Sequence, residues 1–110
     1  MLKGFIPKNL VTMAKFGELI SSDIPVLIDF YTEWEEATDN VHNTLRDVAA
    51  ALGDKAKVIK IDIEKNEILA NALRIKGNPT YIIYKDGEMK WRQSGTQDAN
   101  TLIDLVQQYI

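Results

Sequence analysis

The side chains best placed for chemistry in this sequence lie where an apolar run meets the start of a long helical pattern. Asp29 interrupts the apolar run 25–31, and Glu35 and Glu36 follow it, just beyond Trp34. In α/β proteins the junction between a strand and the next helix often carries the functional groups. Paired carboxylates there could serve as a general acid and a general base. Their more ordinary roles are a buried acid in a strand and a charged first helical turn, and we favour these.

The residue types that are missing exclude several kinds of site. The sequence has no cysteine, which removes disulfides, thiolate nucleophiles, iron–sulfur clusters and cysteine-based zinc sites. His42 is the only histidine, so a catalytic triad within this chain would depend on it alone. His42 lies off the apolar stripe of a helical pattern, which predicts a solvated or half-buried residue. Its spacing from Glu35, Glu36 and Asp39 matches no recognised metal site, so we predict no metal and no cofactor.

Length and composition predict one domain over residues 1–110, with 1–8 as an irregular lead-in. The hydrophobic share of 45% allows a packed core. The formal net charge is -3 and the basic residues are scattered, so we expect neither nucleic acid nor a membrane as partner. No apolar run approaches the roughly 20 residues of a membrane span, and residues 1–7 lack the apolar stretch of a signal peptide. We therefore expect a cytoplasmic protein, or a periplasmic or secreted one if a leader has been removed.

Hydrophobic periodicity predicts strands and helices that alternate along the chain. A short strand over 9–12, whose residues could instead open a helix, precedes an amphipathic helix over 14–22. A buried strand over 25–31 and a long helix over 35–52 follow. The apolar stripe of that helix consists of Ala37, Val41, Leu45, Val48, Ala49 and Leu52. A second buried strand over 58–63 leads to a helix that Asn66 is expected to cap.

The pattern changes in the last third of the chain. Strands over 80–84 and 88–92 flank Asp86-Gly87, which is a strong hairpin signal and makes these two strands antiparallel. A final helix begins at Gln97 or Asp98. The predicted order is β-α-β-α-β-α-β-β-α. With right-handed crossovers, this order gives an α/β fold with a mixed central β-sheet and helices on both faces.

Several segments resemble the thioredoxin family in order and spacing across roughly residues 12–110. They are 26–31 with Trp34, 58–62, 75–80, and the Asp86-Gly87 turn followed by Gly95. The resemblance implies a thioredoxin fold. It also implies that Pro79 is the family's cis-proline, facing the start of the long helix, and that Asp29 is its buried acid with Lys60 beside it. We expect the Asp29 carboxylate to be satisfied by Lys60 or by water.

The redox motif of the family is absent from this sequence. Where the family has Trp-Cys-Gly-Pro-Cys, the sequence in register is Trp34, Glu35, Glu36, Ala37 and Thr38. Dithiol–disulfide exchange requires one thiolate to attack and a second thiol to resolve the mixed disulfide, which neither a carboxylate nor a hydroxyl can do. We therefore predict a redox-inactive member without catalytic residues. Glu35 and Glu36 suit a helix N-terminus, because negative charge is stabilised there.

The resemblance also implies a binding groove that does not depend on sulfur. In the family, the backbone just before the cis-proline pairs with extended polypeptide segments. We predict that this chain is a monomer that binds protein or peptide segments in the same place. The groove residues are Trp34, Gly77, Asn78 and Pro79. Two alternatives stay open: a thiol-disulfide oxidoreductase whose cysteines have been replaced in this sequence, and a structural scaffold domain of a larger assembly.

Overall fold

The computed structural model describes residues 11–32, 38–76 and 79–110, and for residues 38–41 it describes the backbone alone. Within these ranges the chain forms α-helices, strands and two short 3-10 turns. The helices are α1 (Met13–Ile20), α2 (Thr38–Leu52), α3 (Glu67–Ala72) and α4 (Ala99–Gln107). The strands are β1 (Val26–Tyr31), β2 (Lys57–Asp62), β3 (Thr80–Lys85) and β4 (Glu88–Ser94). The 3-10 turns are Gly53–Lys55 and Glu64–Asn66.

The strands form one mixed sheet in the order β2-β1-β3-β4. Strand β1 is parallel to β2, with Asp29 opposite Lys60. It is antiparallel to β3, with Asp29 opposite Tyr81. Strand β3 pairs antiparallel with β4 through the hairpin. One parallel pair beside two antiparallel pairs confirms the mixed sheet predicted from the sequence.

Helices cover both faces of this sheet, as predicted. Strand β1 is buried almost throughout, because successive side chains point to opposite faces and both faces are covered. Ile28 and Phe30 pack with residues of α1 and α3 on one face. Leu27 packs with residues of α2 and α4 on the other face. Asp29 lies two residues after Leu27 and therefore points toward α2 and α4.

Helix α2 buries most of the stripe that the structure describes for it. Leu45, Val48 and Leu52 are buried against the sheet and α4. Ala49, predicted to share the stripe, is exposed, because it lies on the flank of the face that the other three define. No helix in the described ranges is long and apolar enough to cross a membrane.

The prediction of a strand over 9–12 is wrong for the part of it that the structure describes. Residues 9 and 10 lie outside the described ranges, whereas Val11 and Thr12 belong to no strand. Thr12 is instead the N-cap of α1, and its Oγ1 accepts a hydrogen bond from the Lys15 backbone N–H at 3.1 Å. A threonine hydroxyl at this position satisfies one of the free N–H groups of the first turn. The alternative prediction, that these residues open a helix, is the correct one.

Asn66 has a different role from the helix cap predicted for it. It directly precedes α3, but its side chain makes no capping hydrogen bond. Its Oδ1 accepts a hydrogen bond from the Val11 N–H at 2.6 Å, and its Nδ2 donates to the Asp62 carbonyl at 2.9 Å. The Asp62 Oδ1 accepts from the backbone N–H groups of Glu64 and Lys65 at 2.9 and 3.2 Å. Asn66 therefore joins the start of α1 to the end of β2.

The hairpin forms as predicted. Asp86 and Gly87 both have positive φ, 55° and 79°, as a type I′ turn requires. The turn also contacts the chain before β1: its two N–H groups donate to the carbonyls of Ser22 and Ile20 at 2.8 and 2.9 Å. The hairpin is thereby fixed to the connection between α1 and β1.

Candidate functional site

Two segments that the sequence assigns to the site meet at one end of the sheet. Phe30, near the end of β1, is the register partner of Thr80 at the start of β3. Pro79 directly precedes Thr80 and is buried. Because Thr80 pairs with Phe30, Pro79 lies beside the end of β1 at Tyr31. The Pro79 carbonyl accepts a hydrogen bond from the Gly95 N–H at 2.8 Å. Pro79 is thus held beside the end of β1.

Most of the predicted groove and motif residues lie outside the described residues. They are Trp34, Glu35, Glu36, Ala37, Gly77 and Asn78. For Thr38 the structure gives the backbone, which opens α2. The roles assigned to these positions stay predictions. Of the residues singled out in the sequence, Asp29, Lys60 and Pro79 are described with their side chains.

Asp29 is buried, and none of the residues described in the structure forms a hydrogen bond with its carboxylate. Its exposed fraction is 0%, and neither carboxylate oxygen has a hydrogen-bond partner among the described residues. Lys60 is the register partner of Asp29 on β2, but it is exposed, and the two form no ion pair in the described part of the chain. Lys60 therefore lies beside Asp29, as the resemblance implies, but does not bond to it, whereas satisfaction of the carboxylate by water stays a prediction. Because β2 is an edge strand of the described sheet, the long Lys60 side chain can carry its ammonium group to solvent.

Burial raises the pKa of the Asp29 carboxyl to about 7, and the positive charge of Lys60 opposes the rise. The cause is lost hydration, since a carboxylate in the protein interior gives up its water and here gains no hydrogen bond from the described residues in return. Near pH 7 the carboxyl is therefore close to the midpoint of its titration. Such a group can exchange a proton under physiological conditions, which makes it a candidate for function without proving one.

Tyr81 is a second buried polar group on the same face, and sequence analysis missed it. It lies opposite Asp29 on β3, and its hydroxyl has no hydrogen-bond partner among the described residues. Burial raises the pKa of the Tyr81 hydroxyl, and the neighbouring Asp29 raises it further. The backbone of Gln97 opposes this rise in pKa. It does not come within ordinary hydrogen-bond geometry of the Tyr81 hydroxyl. Only the register between β1 and β3 reveals the pair, because an apolar strand pattern holds no information on which residues face each other.

His42 contributes a third polar group from α2. Its ring packs edge-to-face against Tyr31, with the ring centroids 4.9 Å apart and the planes at 86°. The residue is half-buried, as predicted, and its Nε2 has no hydrogen-bond partner within the described ranges. Tyr31 lies two residues after Asp29, so both side chains project from the same face of β1. Asp29, Tyr81 and His42 thus all lie on the side of the sheet that α2 and α4 cover.

Two of these polar groups, Asp29 and Tyr81, are closed off from solvent in the described structure. A general acid or base must come within hydrogen-bond reach of the reacting group, and Asp29 and Tyr81 are fully buried. Among the described residues, no cluster of three or more His, Asp or Glu side chains could hold a metal ion. In the conformation described, Asp29 and Tyr81 therefore cannot reach a substrate directly, and the described residues offer no metal site.

Comparison with known proteins identifies the class of this chain. The thioredoxin family model matches residues 8–108. A chloroplastic thioredoxin Y of Oryza sativa subsp. japonica is 40% identical over 97 residues, which are 87% of this chain and 58% of that protein. The thioredoxin of Rickettsia prowazekii is 33% identical over 103 residues, covering 93% of this chain and 98% of that protein. The crystal structure of chloroplastic thioredoxin z has a TM-score of 0.80 to this one at 29% identity, with 96% of each chain covered.

The fold of this chain is the thioredoxin fold, with a mixed four-stranded sheet flanked by helices in the described residues. The chain belongs to the thioredoxin family, which confirms the resemblance drawn from its motifs. It spans 58% of the length of the rice relative and 98% of the length of the rickettsial one. Because the sequence contains no cysteine, dithiol–disulfide exchange cannot take place on its side chains.

Proposed function

We propose that this chain is a redox-inactive binding module that holds extended protein or peptide segments in the groove beside Trp34 and Pro79. The observation that carries the proposal is the position of Pro79. It is buried at the start of β3, next to the point where the chain leaves β1, and its carbonyl is fixed by Gly95 at 2.8 Å. Pro79 itself is therefore anchored beside the end of β1, and in the family the backbone just before this proline is where extended segments pair.

Binding at this place needs no sulfur. An extended segment can pair through its backbone with an exposed stretch of chain, while side-chain contacts add specificity. In the proposed groove, Gly77 and Asn78 supply the backbone and Trp34 supplies an aromatic contact. Glu35 and Glu36 give the groove negative charge, which favours segments with basic or polar side chains. The structural work on thioredoxin z describes type-specific target recognition for that protein, so recognition of targets is a property known from a relative.

A peptide selection followed by affinity measurements tests the proposal. Short linear peptides selected from a random library on the wild-type protein would be synthesised and titrated by calorimetry. We expect Trp34→Ala and Pro79→Ala each to weaken binding about tenfold or more, since an aromatic anchor at the centre of an interface is worth about 2 kcal/mol. Met89→Ala is the matched control, because Met89 is exposed on β4 and is not part of the groove.

Two outcomes would contradict this function. If no peptide binds the wild-type protein, the chain has no such groove. If peptides bind equally well to wild type and to both groove variants, the binding surface lies elsewhere, as a structural scaffold domain of a larger assembly would require. Basic residues should also be enriched among the selected peptides, and enrichment of acidic ones would contradict the role of Glu35 and Glu36.

A further inference from the structure

A second groove lies between the start of α1 and the start of α3, and we call it the α1–α3 groove. It has a volume of about 400 Å³ and is lined by residues 11–13 and 64–69. This volume is within the range of known ligand sites. Met13, on the α1 side, is 51% exposed, and Ile68, on the α3 side, is 79% exposed. The groove therefore has large apolar side chains in solvent on both sides, which a partner would remove from water.

Hydrogen bonds within the protein fix the shape of this groove. Asn66, which is 3% exposed, lies in its lining. The Asn66 Oδ1 accepts from the Val11 N–H at 2.6 Å, and its Nδ2 donates to the Asp62 carbonyl at 2.9 Å. These bonds join the α1 side to the α3 side, and Leu69 is buried in the same lining. Because the site is formed before any partner arrives, an occupant meets a ready apolar surface and less ordering is needed on binding.

The rim of the α1–α3 groove carries more negative than positive charge. Its exposed lining includes the carboxylates of Glu64 and Glu67 and the single ammonium of Lys65. None of the three forms an ion pair with another residue in the described part of the chain. Charge complementarity therefore favours a partner with basic side chains. A second copy of this chain does not offer such an excess of positive charge, since its formal net charge is -3.

We propose that the α1–α3 groove binds an amphipathic helix of another protein, whose apolar side chains enter between Met13 and Ile68 and whose basic side chains lie at the rim. A helix presents apolar residues as one stripe with charged residues beside it, which suits an apolar groove with a charged rim. This surface uses neither Trp34 nor Pro79. It is therefore a second binding site that does not depend on the proposed function.

The test uses a designed helical peptide with Leu on one face and Lys on either side of that face, titrated into the isotope-labelled full chain by NMR. The amides of residues 11–13 and 64–69 should shift, while those of Thr80 and Gly95, beside Pro79, should not. Ile68→Ser should weaken binding about tenfold, because it removes an apolar anchor. Met89→Ser is the matched control and should bind like wild type, because Met89 is an exposed apolar residue on β4.

Charge variants test the rim separately from the apolar anchors. The Glu64→Gln/Glu67→Gln double variant should bind the Lys peptide about threefold more weakly at low salt. Lys65→Gln should bind it more tightly, because this change removes the one positive charge of the rim. A twin peptide with Glu in place of every Lys should bind the wild-type protein more weakly than the Lys peptide does.

Three results would overturn this inference. They are no shift at residues 11–13 and 64–69 with the Lys peptide, equal affinity for wild type and Ile68→Ser, and tighter binding of the Glu twin. Shifts confined to Thr80 and Gly95 would place the peptide beside Pro79, which overturns the second site and leaves the proposed function intact.

Other occupants of the α1–α3 groove would give different results. Self-association of the wild-type protein that Ile68→Ser abolishes would assign the groove to a second copy of the chain. Peptide binding that appears only in a Phe5→Ser/Ile6→Ser variant would assign it to the first residues of the same chain. Either result would overturn binding of a partner helix.

Discussion

Two pairs of buried polar residues in this domain differ in whether their side chains form hydrogen bonds. Asp62 and Asn66 lie at the end of β2, where their side chains bond to backbone groups at 2.6–3.2 Å. Asp29 and Tyr81 face each other across β1 and β3, and their side chains have no hydrogen-bond partner among the described residues. All four residues are 5% exposed or less. Burial alone therefore does not tell whether a polar residue supports the fold or weakens it.

The difference shows which polar groups the fold needs. A buried polar group that is fully bonded fixes local geometry, whereas one without partners costs free energy on folding. The Asp62–Asn66 pair connects the start of α1 to the end of β2 through hydrogen bonds. Loss of these bonds should destabilise both elements. The Asp29 carboxyl has no such bond among the described residues, and the sequence holds no thiol for it to serve. Four predictions follow from this contrast, in order of decreasing effect.

Asn66→Ala should produce the largest loss of stability. The substitution removes the partners of the Val11 N–H and the Asp62 carbonyl, and each buried group left unpaired costs about 1–3 kcal/mol. We expect the free energy of unfolding in urea to fall by about 3–4 kcal/mol. Asn71→Ala is the matched control, because Asn71 is exposed on α3. A loss no larger than that of the control would contradict the supporting role of Asn66.

Asp29→Asn should change stability in the opposite direction. At pH 8 the variant replaces a buried charge with a neutral side chain of similar shape, so we expect a gain of about 2–3 kcal/mol in the free energy of unfolding. Asp29→Leu, which also removes the unpaired polar atoms, should be stabilising as well. A clear loss of stability in either variant, measured in urea at pH 8, would show that the carboxylate supports the fold.

The stability of the wild-type protein should depend on pH through Asp29. In the unfolded chain the Asp29 carboxyl has its ordinary pKa of 3.8, and in the folded protein burial raises the pKa to about 7. Between these values the folded state holds a proton that the unfolded state has lost, so the contribution of Asp29 to stability is fully present below pH 3.8 and is lost as the pH rises toward 7. Urea melts of wild type and Asp29→Asn across this range isolate the contribution, and parallel pH profiles for the two proteins would disprove it.

Tyr81→Phe should have the smallest effect, a gain of about 1 kcal/mol, because it keeps the ring and removes a buried hydroxyl that bonds to none of the described residues. Tyr109→Phe offers the contrasting case, since the Tyr109 hydroxyl donates to the Lys90 carbonyl at 3.3 Å. That variant should be neutral or slightly less stable. If Tyr81→Phe is the more damaging of the two, the Tyr81 hydroxyl has a partner and the contrast between the buried pairs disappears.

Local signals were sufficient to predict most of the fold. The apolar run 25–31, the long helical stripe and the Asp86-Gly87 turn each specify one element from neighbouring residues, and the family motifs supplied their arrangement. The error at Asn66 arose because its hydrogen-bond partner is distant in sequence. Asn66 has the residue type of a helix cap, but its amide bonds to Val11, which no local pattern indicates.

The sequence was sufficient to predict that the family's redox motif is replaced, but not which side chains contact each other beneath it. Motif register alone shows that Glu35 and Thr38 stand where the family has cysteines. The pairing of Asp29 with Tyr81 depends on strand register. The hydrogen bond from Arg92 on β4 to the Leu73 carbonyl at the end of α3 depends on tertiary packing. Both contacts join residues whose types are common on any strand. They become visible only when the sheet is assembled.

An insulin-reduction assay tests the central claim, that the thioredoxin fold is kept here while thiol chemistry is lost. With dithiothreitol as reductant, the wild-type protein should not increase the rate above that of the buffer. The Glu35→Cys/Thr38→Cys double variant is the positive arm, because it places thiols at both motif positions and should reduce insulin measurably. Turnover by the wild-type protein above the buffer rate would contradict the account.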